Sequence, residues 1–332
     1  MNNALPPVPV FEIASGGALA LARAAPQAAQ AQIDDAERRF TRPGVRLADR
    51  LSRRWLAASA STLKDEIADV AAEVGRPGAF LLNISYEWGC TAGVAPDPHG
   101  SGMRLLRTLD WPFHGLGRGL MAARMEGPAG PWLNLTWAGF AGVLTALCPG
   151  RFAVAFNQPP MHARRFAGLE LPMPLDWALN RLAMARRHAE PPAHLLRRIC
   201  DGAGSYDEAR ARILETPVAA PYFVSLAGPG AGEGCVIEHD GVRGVAHDAP
   251  AAIANHWLSR TRQGHPRTGH SRERLALMTS AMSGARELDW LQPPILNPDT
   301  RLAAVLCPAS GEALVQGWEA DGPATRPTRI EA

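Results

Sequence analysis

Asn83-Ile84-Ser85-Tyr86-Glu87-Trp88-Gly89-Cys90-Thr91-Ala92-Gly93-Val94 decides the reading of this 332-residue chain. The apolar run at 80–84 predicts a strand, a Gly-Cys-Thr step follows, and a second apolar run continues. Cys90 therefore stands at the start of a strand. Downstream comes Arg107-Thr108-Leu109-Asp110-Trp111-Pro112, and the intervening Asp97-Pro98-His99-Gly100 reads as a turn. Thiol, guanidinium and carboxylate thus share one hairpin, an arrangement that can do chemistry. Each part also has an ordinary reading. A lone strand cysteine is commonly a small buried hydrophobe, and Arg107 with Asp110 can be a plain ion pair, worth under ~1 kcal/mol where exposed.

Composition bounds the alternatives. A hydrophobic content of 46% with 20% charged residues suits a globular chain with a sizeable core, as two domains or one large layered domain. Net charge is +2, carried almost wholly by arginine, with Lys64 the sole lysine. No basic cluster marks one face, so no nucleic-acid partner is expected. Cys90, Cys148, Cys200, Cys235 and Cys307 contain no CxxC pair. That argues against a zinc ribbon or a disulfide framework and suits a reducing compartment. His247, His256, His265 and His270 have spacings that match no compact metal site, so no metal or cofactor is expected. Arg23 interrupts the apolar segment 16–25, which makes a poor signal peptide. No run of ~18 apolar residues suggests a transmembrane helix. The expectation is a cytoplasmic protein without stable membrane insertion.

Outward from the cysteine, residues 1–15 read as an extended lead-in, because Pro6, Pro7 and Pro9 exclude helix. Residues 17–72 carry helical spacing: Ile33, Ala36 and Phe40, then Leu51, Trp55, Leu63, Ile67 and Val70. Gly75, Pro77 and Gly78 end that layer. Beyond the hairpin, strands are predicted at 132–137, 142–147 and 152–156, then helices at 175–187, 193–201 and 206–215, the last capped by Ser205. Further strands follow at 222–227, 234–239 and 242–247, with a short strand or strand end at 253–257. A helix at 271–282 and a closing hairpin, 302–307 with 313–318, complete the chain. Closely spaced strands without intervening helices imply antiparallel pairing, so the whole reads as an α+β domain of two sheets with helices outside.

The ordered set Tyr86-Glu87, Cys90-Thr91 and Arg107-Thr108-Leu109-Asp110-Trp111 resembles acid ceramidase and N-acylethanolamine-hydrolysing acid amidase. It is more distantly similar to choloylglycine hydrolases and penicillin acyltransferase. All are N-terminal-nucleophile (Ntn) hydrolases with a four-layer αββα sandwich. The likeness covers residues 80–157 well and 253–277 more loosely. It implies a helical propeptide or α-subunit, 1–89, and a β-subunit, 90–332, with self-cleavage between Gly89 and Cys90. It implies that Cys90 is the nucleophile and that Arg107 and Asp110 match the family's R-N-x-D-[YF] motif, with Thr108 and Trp111 replacing its Asn and Tyr or Phe. Asn157 matches a position that is Asn or Glu in relatives. Asn255 matches an oxyanion asparagine, and Arg274, or Arg272, matches a downstream arginine. The partners implied are a small N-acyl amide and, after cleavage, an α/β heterodimer open to further homo-oligomerisation.

Physical chemistry gives each residue work. A Cys90 thiol attacking the Gly89 carbonyl makes a thioester that water hydrolyses, and a residue without a side chain eases that approach. The freed α-amine, with a pKa of ~7.7–8, suits a general base at neutral pH. Arg107 favours the thiolate, and Asp110 orients the amine. A side-chain N–H of Asn255 and the backbone N–H of Asn157 serve the oxyanion, although Asn157 before Gln158-Pro159-Pro160 also reads as a turn residue. Trp88, Trp111, Phe113, Trp132, Trp137 and Phe140 are candidates for an apolar acyl pocket, or for plain core. The reaction expected is hydrolysis of a linear amide of the N-acyl amine or fatty-acid amide type. Acyl transfer to an amine through the same thioester is the alternative, and an unprocessed, inactive acyl- or partner-binding protein is the second.

Overall fold

The computed structural model describes residues 5–84, 88–166, 169–259 and 264–332; Ser85, Tyr86 and Glu87 lie outside them. Two large sheets dominate. The first runs in the order Val10–Ala14, Met121–Gly127, Gly130–Thr136, Thr145–Cys148, Phe152–Asn157, Tyr222–Ala227, Gly234–His239, Gly244–Asp248. The second runs Ala251–Ile253, Gly89–Pro96, Met103–Asp110, Thr300–Cys307, Glu312–Glu319, which also pairs with Thr328–Glu331. Within both, pairing is antiparallel except where Val10–Ala14 lies parallel to Met121–Gly127. The inner strands are buried on both faces because each sheet has the other on one side and helices on the opposite side.

Side-chain alternation distributes the strand Gly89–Pro96 between two cores. Cys90 and Val94 join the inter-sheet core, whereas Ala95 joins a cluster containing Met278 and Met282 from the helix Ser271–Ala281 and the turn after it. Gly93 faces that helix, and a Cβ there would meet Met278 at 3.0 Å. The opposite outer layer contains the helices Pro192–Gly202 and Tyr206–Glu215. Ser205 caps the latter as expected, its hydroxyl accepting from the Glu208 N–H, a contact worth ~1 kcal/mol.

The N-terminal region is more integrated than a separate helical layer. It is built of Gly17–Ala24, Pro26–Phe40, Arg42–Ala58, Lys64–Val74 and Ala79–Ile84. Its lead-in is also not merely extended, since Val10–Ala14 is the edge strand of the first sheet. The predicted strand at 80–84 is instead the helix Ala79–Ile84. A five-residue apolar run does not distinguish a strand from a buried helix, and Asn83 settles the matter. Its Nδ2 donates to the carbonyls of Ala79, one turn back, and Gly139, while its Oδ1 accepts from Ala141 N. A helix thus stands where a strand was expected at 80–84, and Gly89 opens the next strand. The strand Met121–Gly127 was not predicted, and the one at 142–147 shortens to Thr145–Cys148. The strand at 253–257 is Ala251–Ile253, so Asn255 lies beyond its end.

Ser61 and His194 join the N-terminal helices to the first sheet's outer layer, with Ser61 Oγ 2.7 Å from His194 Nδ1 and both residues buried. Burial pushes the His194 pKa down to about 3, so the ring is neutral in the folded chain. The unfolded ring has a pKa near 6.5. The histidine's stabilising contribution is complete above that value and is lost as pH falls toward about 3, because only the unfolded state takes up the proton. We predict that thermal melts from pH 7.5 to 4 show the advantage of wild type over His194→Gln shrinking as pH falls, by on the order of 1 kcal/mol per pH unit. A constant difference would show that the ring does not report on folding in this way.

Candidate active site around Cys90

Register across the hairpin places Gly89 opposite Asp110, Cys90 opposite Leu109 and Ala92 opposite Arg107. Cys90 is fully buried and points between the sheets, where its Sγ lies 3.6 Å from the Phe156 carbonyl on the first sheet. Burial pushes the thiol above its ordinary pKa, and the Arg107 guanidinium is the main influence pulling it back. Arg107 is fully buried. Its Nη1 donates to Asn157 Oδ1 at 2.8 Å and its Nε to Thr145 Oγ1 at 3.3 Å. Its Nη2 is buried and makes no hydrogen bond among the described residues. A cationic donor left unpaired in the interior suits a place where negative charge develops.

Asn157 ends the strand Phe152–Asn157 and is not a turn residue. Its Nδ2 donates to the carbonyls of Ile253 and Ala254, so one asparagine holds Arg107 and ties the loop before Asn255 to the other sheet.

Arg274, from the helix Ser271–Ala281, gathers the rest. Its Nη1 donates to the Cys90 carbonyl at 2.8 Å, to Thr91 Oγ1 at 2.9 Å and to Asp110 Oδ2 at 3.4 Å. Its Nη2 donates to Asn255 Oδ1 at 2.9 Å and to Thr268 Oγ1 at 2.5 Å. Of the two arginines that the sequence left open, Arg274 is 1% exposed and Arg272 is exposed. Asp110 is fully buried. Burial raises its carboxyl pKa, and Arg274 and hydrogen bonds from Asn297 and Thr300 oppose that rise.

Asn255 is placed differently from its expected role. Its Oδ1 accepts from the Cys90 backbone N–H at 2.9 Å, and its Nδ2 donates to the Gln158 carbonyl at 2.8 Å. In this arrangement Asn255 holds the nitrogen of Cys90, and only the second Nδ2 hydrogen is left for an oxyanion. Thr268 and Gln158 were missed in the sequence. Thr268 packs so closely on Gly89 that any Cβ at that position would overlap its side chain. Gln158 Oε1 accepts from the Trp88 N–H at 3.1 Å. Neither residue type carries a sequence signal for such a position.

On the amino side of Gly89, Trp88 packs edge-on against Trp111, with ring centroids 4.4 Å apart, and Trp111 against Phe113 at 5.1 Å. With Trp137 and Phe140 they line a small cavity whose further walls include Gln32 and Leu82 from the N-terminal helices. Its free volume is ≈ 30 Å³, about one water molecule's share. Trp132 does not belong to it. That ring lies under Arg197 and its Nε1 donates to Asp201. Among the described residues, no group of three or more His, Cys, Asp or Glu side chains is placed to hold a metal ion. Among the same residues, no helix is long and apolar enough to cross a membrane.

Two packed antiparallel sheets with helices on both outer faces, and a buried cysteine at the start of an inner strand, make the αββα architecture of Ntn hydrolases. Comparison with known proteins agrees. The fold matches that of a Caenorhabditis elegans N-acylethanolamine-hydrolyzing acid amidase (NAAA) ortholog, with a TM-score of 0.50 over 66% of this chain and 93% of that one, at 19% identity. In sequence, the chain is 30% identical over 105 residues to acid ceramidase of Bos taurus, and 30% over 105 residues to that of Homo sapiens. These matches cover 32% of this chain and 24% of each relative, so the chain spans about a quarter of the length of the curated relatives it matches. No protein-family model matches. Over those 105 residues the chain is similar to acid ceramidase, and its fold is that of the Ntn hydrolases.

Proposed function

We propose that this chain is a precursor that cuts itself between Gly89 and Cys90 and then hydrolyses a linear amide of the N-acyl amine type through a thioester on Cys90. The observation that carries this reading is the position of Cys90. Its nitrogen is held by Asn255, its carbonyl by Arg274, and its buried thiol lies beside Arg107, the main group pulling the thiol's pKa back. Few structural roles need all three atoms of one cysteine to be held separately.

In self-cleavage the Cys90 sulfur adds to the Gly89 carbonyl carbon, the Gly89–Cys90 C–N bond breaks, and the thiol proton passes to the departing nitrogen. Water then hydrolyses the thioester, leaving a Gly89 carboxylate and a free thiol and amine on Cys90. In turnover the amine takes the thiol proton as sulfur adds to the substrate carbonyl and returns it to the leaving amine; water releases the acyl group. Arg107 and the spare Asn255 hydrogen stabilise the charge on sulfur and oxygen. Asp110, one residue pair away across the hairpin, orients the new ammonium while Arg274 compensates its buried charge.

The aromatic cavity supports a latent precursor. It is too small for an acyl chain, and Trp88, one of its walls, is tied by the chain to Gly89. Cleavage frees Trp88 and the helix Ala79–Ile84 to move, so that Trp111, Phe113 and Trp137 meet the acyl chain. The test is intact-mass measurement of the purified chain with an amide panel. The expected result is two fragments meeting at Gly89/Cys90 and release of fatty acid by the processed form alone. An intact chain at every pH, or hydrolysis without cleavage, would refute the reading. Adding a free amine separates hydrolysis from acyl transfer.

A further inference from the structure

Gly89 is buried, and a Cβ built on it would stand 2.2 Å from Thr268 Cγ2, 2.7 Å from its Oγ1 and 3.0 Å from its Cβ. The backbone does not ask for glycine here, because Gly89 lacks the positive φ that favours it. What excludes a side chain is Thr268. That residue is itself held. Its hydroxyl accepts from Arg274 Nη2 at 2.5 Å and donates to Asn255 Oδ1 at 3.3 Å. The buried Arg274 also donates through Nε to the next carbonyl in the loop, that of Gly269, at 3.2 Å. A β-branched side chain with its hydroxyl so engaged is stiff and cannot turn aside without breaking those bonds.

We infer that Thr268 selects the acyl half of the substrate: the site takes amides whose acyl C2 is an unbranched CH₂ and rejects a substituent on the side where Gly89 lacks its Cβ. This rests on the amidohydrolase reading above, in which one sulfur attacks first the Gly89 carbonyl and then the substrate carbonyl. Both carbonyls are therefore presented to the same atom of the same strand. The acyl C2 stands where Gly89 Cα stood, C3 takes the place of the Gly89 nitrogen, and the chain continues where Trp88 packs on Trp111. One hydrogen of C2 then points at Thr268, along the direction of the absent Cβ. Replacing that hydrogen with methyl gives the (R)-2-methyl acyl group, which meets the same three atoms.

The first arm of the test needs no substrate and uses the full-length chain. Gly89→Ala should stay uncut by intact mass, and Gly89→Ala/Thr268→Ala should be cut again, because the second change removes the two nearest atoms. Gly89→Ala cut as readily as wild type would overturn the inference. So would a double variant left intact while Thr268→Ala alone is cut.

The second arm compares dodecanoyl ethanolamide with its (R)- and (S)-2-methyl derivatives on the processed protein. The expected result is a kcat/KM at least about tenfold lower for the (R) compound than for the unsubstituted amide, as overpacking against a fixed side chain provides. Thr268→Ala should close that gap, whatever it does to the absolute rates. The (S) compound, whose methyl points away from Thr268, is the control, and its ratio to the unsubstituted amide should not change. Equal hydrolysis of the (R) and unsubstituted amides by wild type, or a gap that Thr268→Ala leaves intact, would overturn the inference. If Thr268→Ala is itself uncut, or unfolded by circular dichroism, Thr268→Ser replaces it in both arms; it removes Cγ2, the nearest atom, and keeps the hydroxyl for Arg274 and Asn255. A wild-type chain neither cut nor active refutes the amidohydrolase reading, and the inference with it. A wild type that is cut and active but indifferent to the 2-methyl group refutes the inference alone.

Discussion

Replacing Cys90 with alanine is expected to abolish self-cleavage and amide hydrolysis together, leaving one full-length chain by intact mass and a rate loss on the order of 10⁶. The reason is that the proposal gives one sulfur both jobs: it attacks Gly89 in the precursor and the substrate carbonyl afterwards. The fold should persist. Cys90 contributes one buried sulfur to a core that runs from Val8 to Ile330, and losing it costs about 1 kcal/mol by apolar transfer. Unchanged far-ultraviolet circular dichroism with a melting temperature shifted by only a few degrees would establish that. A Cys90→Ala chain still cut between Gly89 and Cys90 would show that another group performs the cleavage, and the reading of this strand would have to be abandoned.

The second large effect is expected at Arg274, and it separates structure from catalysis. Arg274→Met leaves the fully buried Asp110 without its cation and removes the donor to the Cys90 carbonyl. Breaking a buried ion pair from one side costs about 3–5 kcal/mol. Both cleavage and turnover should fall, by ~10² or more as for loss of a transition-state donor. Arg274→Met/Asp110→Asn removes the uncompensated charge as well, so much of the stability should return while activity does not. Denaturant unfolding of the two variants checks this. A double variant no more stable than Arg274→Met would mean that Asp110 is not the charge Arg274 compensates.

Much of the frame was legible in the sequence because it depends on local chemistry. The helix Tyr206–Glu215 with its Ser205 cap, the hairpin joining Thr300–Cys307 to Glu312–Glu319, and the pairing of Cys90's strand with that of Arg107 and Asp110 follow from caps, turns and alternation. Errors arose where the deciding partner is distant. The run at 80–84 is helical because Asn83 bonds Gly139 and Ala141, far along the chain. Trp132, one of the aromatics the sequence left open between pocket and core, is core, and its indole is held by Asp201.

The same division applies to the candidate site. Sequence alone determined that a cysteine begins a strand and that an arginine and an aspartate stand across its hairpin, and resemblance pointed to Asn157, Asn255 and an arginine near 272–274 as their companions. Those are matters of period, turn and motif, which a linear chain records. Only the tertiary structure decided that Arg274 is the buried arginine, that Asn255 grips the nitrogen of Cys90, and that Thr268 closes on Gly89. Each depends on burial and on contacts between segments far apart in the chain. A side chain's polarity does not reveal these in advance, because the same arginine is a solvated charge on one helix face and a desolvated hydrogen-bond hub on the other.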